Sequence, residues 1–165
     1  MKNVVLNERM NLTIPDGFKD LSRAEVQEMT VCRGQAPMWN ILNEEDHVLI
    51  SASWVKSGWL ASKLLNAKDM INSILKRTKA TANEHPELGY TFSKVEEITL
   101  AGKKAYTYTC TYTSSTKEGE KVDMIGEALV VKVENTFYIF QSCYREALKD
   151  QGVKELHEVY DSVRF

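Results

Sequence analysis

Hydrophobic and polar residues alternate with a period of two over much of the chain and with a period near 3.6 in a few stretches. Asn11-Leu12-Thr13-Ile14 reads as a short strand that opens the fold. It stops at Pro15-Asp16-Gly17, a turn in which proline presets φ and glycine accepts a positive one. Ser22-Arg23-Ala24-Glu25 fits a capping box and predicts a short helix running to about Met29. A hairpin follows, Met38 to Asn43 and His47 to Val55, turning at Glu44-Glu45-Asp46. In its second arm Leu49, Ser51, Ser53 and Val55 point one way and Val48, Ile50, Ala52 and Trp54 the other, so one face is the wetter.

Asn66-Ala67-Lys68-Asp69 is a second N-cap, after which Met70, Ile71, Ile74, Leu75 and Thr78 recur at helical spacing. His85-Pro86-Glu87-Leu88-Gly89 ends that helix. From Tyr90 the pattern becomes a meander of strands. Its most regular piece, Ala105 to Thr113, puts Tyr106, Tyr108, Cys110 and Tyr112 on one face and Ala105 with four threonines on the other. After a polar turn, Val122 to Val133 and Phe137 to Tyr144 do not alternate cleanly, and Phe137-Tyr138-Ile139-Phe140 is apolar without a break. Unbroken apolar strands imply burial on both faces. A helix from about Gln151, carrying Val153, Leu156, Val159, Tyr160 and Val163, supplies one cover and the Met70 helix the other. The expected fold class is α+β, an antiparallel sheet with helices packed on both faces, as a single domain over residues 1–165.

With 165 residues, 43% hydrophobic and 27% charged, the chain has the make-up of a globular protein with a substantial core. Its net charge of -2 supplies no basic field for nucleic acid, and no apolar run reaches the length of a membrane span, so neither nucleic acid binding nor membrane insertion is expected. The start, Met1 to Asn7, lacks a secretory apolar region, and a cytoplasmic location is expected. Cys32, Cys110 and Cys143 are odd in number and far apart in sequence, which argues for reduced thiols in the core; a redox pair of Cys110 and Cys143 is the alternative.

Catalytic signatures are absent. His47, His85 and His157 have no partner at metal-ligand spacing, Glu44-Glu45-Asp46 lacks the staggered oxygens of a calcium loop, and no nucleophile elbow or glycine-rich phosphate loop occurs. No cofactor and no metal are implied. Two features remain. The stripe of Tyr106, Tyr108 and Tyr112 is either core or the wall of a groove. In Trp54-Val55-Lys56-Ser57-Gly58-Trp59-Leu60, Trp54, Trp59 and Leu60 form either a partner-binding lip or, with Trp59, a plug over the end of the core.

Three short motifs carry a resemblance to a known family. Ile14-Pro15-Asp16-Gly17-Phe18, Leu100-Ala101-Gly102-Lys103-Lys104-Ala105-Tyr106 and Asp161-Ser162-Val163-Arg164-Phe165 resemble the opening turn, a hairpin and the closing motif of the PsbP/Mog superfamily. The bacterial DcrB-like and effector-chaperone-like branch is the nearest in kind. The resemblance implies an α/β/α sandwich that binds a protein and catalyses no reaction, as an adaptor or chaperone, and it transfers no site residue. The alternative is a small-ligand-binding protein or an enzyme of unrecognised type using an aromatic pocket with a desolvated carboxylate. The partner is expected to be another protein, and pairing of two chains into a homodimer is left open.

Overall fold

The computed structural model describes residues 1–29 and 37–165. In chain order its strands are β1 (Lys2–Leu6), β2 (Met10–Ile14), β3 (Phe18–Asp20), β4 (Trp39–Asn43), β5 (Val48–Lys56), β6 (Thr91–Phe92), β7 (Glu96–Leu100), β8 (Lys103–Ser115), β9 (Lys121–Val133) and β10 (Thr136–Arg145). The helices are α1 (Arg23–Met29), α2 (Trp59–Leu64), α3 (Ala67–Glu84) and α4 (Lys149–Ser162). Cys32, one of the three thiols expected in the core, lies outside the described residues.

Eight strands form an antiparallel sheet in the order β3-β4-β5-β10-β9-β8-β6, with β7 also pairing β8. The unbroken apolar segment of β10 therefore sits at the centre, where both faces are covered, and Phe137, Tyr138 and Phe140 are at most 1% exposed. β1 and β2 form a separate hairpin. The sequence pattern shows β2 but not β1, because Lys2-Asn3-Val4-Val5 lies on an edge and is mostly exposed. Met10, Leu12 and Ile14 of the hairpin join Leu156, Val159, Tyr160 and Val163 of α4 in the larger core, over Ile50, Leu129, Val131 and Phe140 of the sheet. The first cover is thus a helix together with a hairpin, tied at its end by the paired backbones of Asn11 and Arg164.

Both expected helix starts are present. The amide of Glu25 donates to Ser22 Oγ at 3.2 Å and that of Ser22 to Glu25 Oε2 at 2.8 Å. The amide of Asp69 donates to Asn66 Oδ1 at 2.9 Å and that of Asn66 to Asp69 Oδ2 at 3.1 Å. Each reciprocal pair satisfies two donors that the first helical turn leaves without partners. α3 packs Ala67, Ile71 and Ile74 on Tyr108, Ala128, Val130 and Phe137, which forms the second core.

α4 lies so close to β10 that only glycine fits at position 152, where a Cβ would stand 2.6 Å from the Tyr144 ring. It is also joined to the β4–β5 turn. Asn43 Nδ2 and Gln151 Nε2 donate to Glu155 Oε1 at 2.8 and 3.1 Å, and Asn43 Nδ2 also reaches Asp46 Oδ2 at 3.2 Å. Burial, with Asp46 alongside, holds the Glu155 carboxyl above the ordinary carboxylate range.

Candidate functional site

α3 covers part of its face of the sheet, and beside it the described residues, Val26 of α1 and Pro37 among them, line a half-open groove of about 830 Å³. Strand register defines its floor. Leu42, Leu49, Cys143, Gly126 and Cys110 stand in one cross-strand row. Asn40, Ser51, Gln141, Ala128 and Tyr108 form the next, and Arg145, Met124 and Tyr112 flank the first on its other side. Gln141 marks the opening most directly. It lies midway along β10 with β5 and β9 on either side, yet its side chain is exposed.

The space a side chain at Gly126 would need is filled by its cross-strand neighbours. A Cβ there would meet Cys110 Sγ at 2.9 Å and Tyr112 Cε1 at 3.5 Å, so the Tyr112 ring lies across β9 and its hydroxyl bonds with the Cys143 thiol. Aromatic rings build the wall beyond. Tyr90 stacks on Tyr112 with centroids 4.9 Å apart and on Phe92 at 5.7 Å, and Phe92 tilts against Tyr108 at 6.5 Å. Such pairs hold one another's orientation and leave apolar faces for a ligand.

Burial keeps this wall chemically quiet. It pushes the Tyr108 hydroxyl up to about 12 and the Cys110 thiol up to about 11, and raises the Tyr112 hydroxyl further, so all three stay protonated near neutral pH. Cys110 and Cys143 are both free thiols that flank Gly126. Two interstrand spacings put their Cα atoms about 9.6 Å apart, beyond the roughly 7 Å that a disulfide spans without backbone movement. They are neighbours but not a redox pair.

The fold has solved counterparts. No family sequence model matches the chain, and no curated protein matches it by sequence. Among solved structures, cyanobacterial PsbP (CyanoP) from Synechocystis superposes with a TM-score of 0.61 at 12% identity, covering 99% of this chain and 91% of that one. The Ran-binding protein Mog1p of Saccharomyces cerevisiae gives 0.57 at 11% identity, covering 99% and 94%. LpqN of Mycobacterium tuberculosis, involved in cell envelope biogenesis, gives 0.52 at 16% identity, covering 94% and 82%. The chain shares the fold of these proteins, PsbP and Mog1p among them.

On this sheet the residues singled out from sequence divide into separate places. Tyr108 is buried under α3 with its hydroxyl 3.0 Å from Thr78 Oγ1, and together with Tyr112 it lines the groove. Tyr106 stands outside it, half-buried at the rim of the second core, donating to Glu97 Oε2 at 3.2 Å. Trp54 faces the opposite way, paired with Tyr138 and packed against the larger core. Trp59 and Leu60 sit on α2, 73% and 58% exposed. Trp59 is therefore no plug over the core: α2 buries none of its residues.

The desolvated carboxylates are also elsewhere. Burial pushes Glu127 up to about 7, but its side chain shares a row with Thr109 and Ser142 on the α4 side, where burial first and its charge second raise the Tyr160 and Tyr144 hydroxyls. It is also among the residues lining the groove, between Gly126 and Ala128 on β9. Glu155 lies on α4. The groove's own carboxylates, Glu44 and Glu118, are exposed at its rim. Among the described residues no cluster of three or more His, Cys, Asp or Glu could hold a metal ion. Tyr90, Met124, Gln141 and Arg145 were not singled out from sequence; Gln141, which breaks off the apolar run Phe137–Phe140, was the available signal.

Proposed function

We propose that this protein is a non-enzymatic binding module, an adaptor or chaperone, whose groove takes a short apolar segment of another protein. The observation that supports the reading is the exposed Gln141 on the central strand, which a closed sandwich would bury, beside a groove lined by the described residues. From β5 to β8 the floor crosses three interstrand spacings, about 14 Å, the length of about four extended residues. Met124 and the Tyr90–Tyr112 stack offer apolar contact along that length, and the exposed Gln141 offers hydrogen bonds to a peptide backbone. The free thiols at the floor suit a reducing compartment such as the cytoplasm.

A second reading, a small amphipathic acid held in the same groove, is favoured by Arg145, whose guanidinium makes no ion pair among the described residues. A peptide array of apolar segments, a panel of aromatic and aliphatic acids and two variants test both. Gln141→Trp fills the groove, and peptide binding falls at least tenfold while the thermal midpoint holds. Arg145→Gln leaves peptide binding intact under the first reading and abolishes acid binding under the second. Undiminished peptide binding by Gln141→Trp removes the groove as the site.

A further inference from the structure

α2 and its flanks form a second surface, separate from the groove. The chain leaves β5 at Lys56 and is fixed where Ser57 donates twice to the Asn135 carbonyl, from its amide at 2.8 Å and its hydroxyl at 3.0 Å. At the other end Lys132 Nζ donates to the carbonyls of Ser62 and Leu65, the latter at 2.6 Å, and the Asn66 capping box starts α3. The segment is thus held at both ends by polar bonds while burying nothing of α2 itself. What it presents is apolar: Val55, Trp59, Leu60, Leu64 and Leu65 are 49%, 73%, 58%, 73% and 44% exposed. Large side chains held out in water at a fixed ledge are the mark of a surface that meets something.

Charge indicates what. Residues 48–68 contain Lys56, Lys63 and Lys68 and no Asp or Glu, in a chain whose net charge is -2. All three lysines are exposed, and Lys63 lies over the Trp59 ring at 5.1 Å. Two acids next to the segment's anchors are already engaged: Asp69 caps α3, and Glu134, beside Asn135 in sequence, is paired with Arg9 by two bonds of 2.7 Å. A tryptophan and leucines flanked only by lysines match the boundary of an anionic bilayer, where the indole sits at headgroup level and the ammonium groups meet lipid phosphates.

We propose that α2 with its flanks is a peripheral docking surface for anionic lipid membranes, through Trp59, Leu60 and Leu64 and the charges of Lys56, Lys63 and Lys68. No helix among the described residues is long and apolar enough to cross a membrane, so the contact is interfacial. The proposal is independent of what the groove binds.

Co-sedimentation with vesicles of phosphatidylglycerol and phosphatidylcholine, against vesicles of phosphatidylcholine alone, tests it. The wild type is expected to bind the anionic vesicles, to be released by salt, and to show a blue-shifted tryptophan emission. A Lys56→Gln/Lys63→Gln/Lys68→Gln variant is expected to bind them about a hundredfold more weakly, since each lysine near an anionic surface is worth about fivefold. Trp59→Ser/Leu64→Ser, at exposed sites that leave the fold intact, loses the blue shift and the residual binding. Failure to bind anionic vesicles, equal binding to neutral ones, or unchanged binding by either variant overturns the proposal. If the wild type ignores lipid but binds a protein that Trp59→Ser/Leu64→Ser no longer binds, the surface belongs to a protein partner and the proposal is equally overturned.

Discussion

Replacing Glu127 by Gln tests how the α4 face is built. Glu127 stands in mid-sheet between Thr109 and Ser142, and burial alone raises its carboxyl from 4.5 to about 7. The folded state therefore prefers the neutral acid. Below about pH 4.5 the group is neutral whether the chain is folded or unfolded, and nothing is lost. As pH rises towards 7 the unfolded chain ionises freely while the folded chain resists, so stability drains away across that window and is constant above it. A gap of this size corresponds to about 3 kcal/mol, and water reaching the partly exposed side chain brings it to about 2–3 kcal/mol. Glu127→Gln keeps the shape and removes the ionisation. It should match the wild type at about pH 4 and exceed it by about 2–3 kcal/mol at about pH 8, or about 5–10 °C in thermal midpoint for a chain of this length. Urea unfolding of both proteins at the two pH values, followed by circular dichroism, reads the difference directly. Glu155, also raised, gives the wild type further pH dependence of the same sign, but it is present in both proteins and cancels. A stability difference that is the same at both pH values, or a variant less stable at high pH, would refute the assignment of Glu127 to a desolvated site.

Two other expectations follow from packing. Gly152→Ala drives a methyl group into the Tyr144 ring, which has a strand behind it, and should destabilise the protein by about 1–3 kcal/mol in the same urea assay; a neutral effect would mean that α4 can lift off β10. In native protein at neutral pH, a maleimide should modify the half-buried Cys143 slowly and the buried Cys110 only after unfolding, with the modified residues identified by mass spectrometry. Rapid labelling of Cys110 would contradict the closed contact it makes beside Gly126.

Much of the architecture is legible along the chain because its signals are local. The capping box at Ser22 and the N-cap at Asn66 involve residues three apart, and both form, the second as a capping box with Asp69. The alternation of β8 correctly put Tyr106, Tyr108, Cys110 and Tyr112 on one face, and the unbroken Phe137–Phe140 run correctly marked a central strand. β1 escaped notice because a mostly exposed edge strand needs no apolar stripe. The fate of the two tryptophans was also out of reach, since Trp54 belongs to a strand face fixed by Tyr138, while Trp59 belongs to a helix supported by Lys132 from a strand far along the chain.

The sequence by itself determined which residues share a face, where helices begin, that an antiparallel sheet with helices would form, and that no recognised catalytic motif is present. Tertiary structure alone decided what each face meets. Placing β10 between β5 and β9 brought Leu49, Cys143, Gly126 and Cys110 into one row, and the landing of α3 over Val130 and Phe137 rather than over Gln141 left Gln141 of the adjacent row exposed. Periodicity records the direction of a side chain relative to its own backbone. Whether that direction ends in core, groove or water depends on strand order and on the position at which a cover comes to rest, and both are set by contacts between residues distant in sequence.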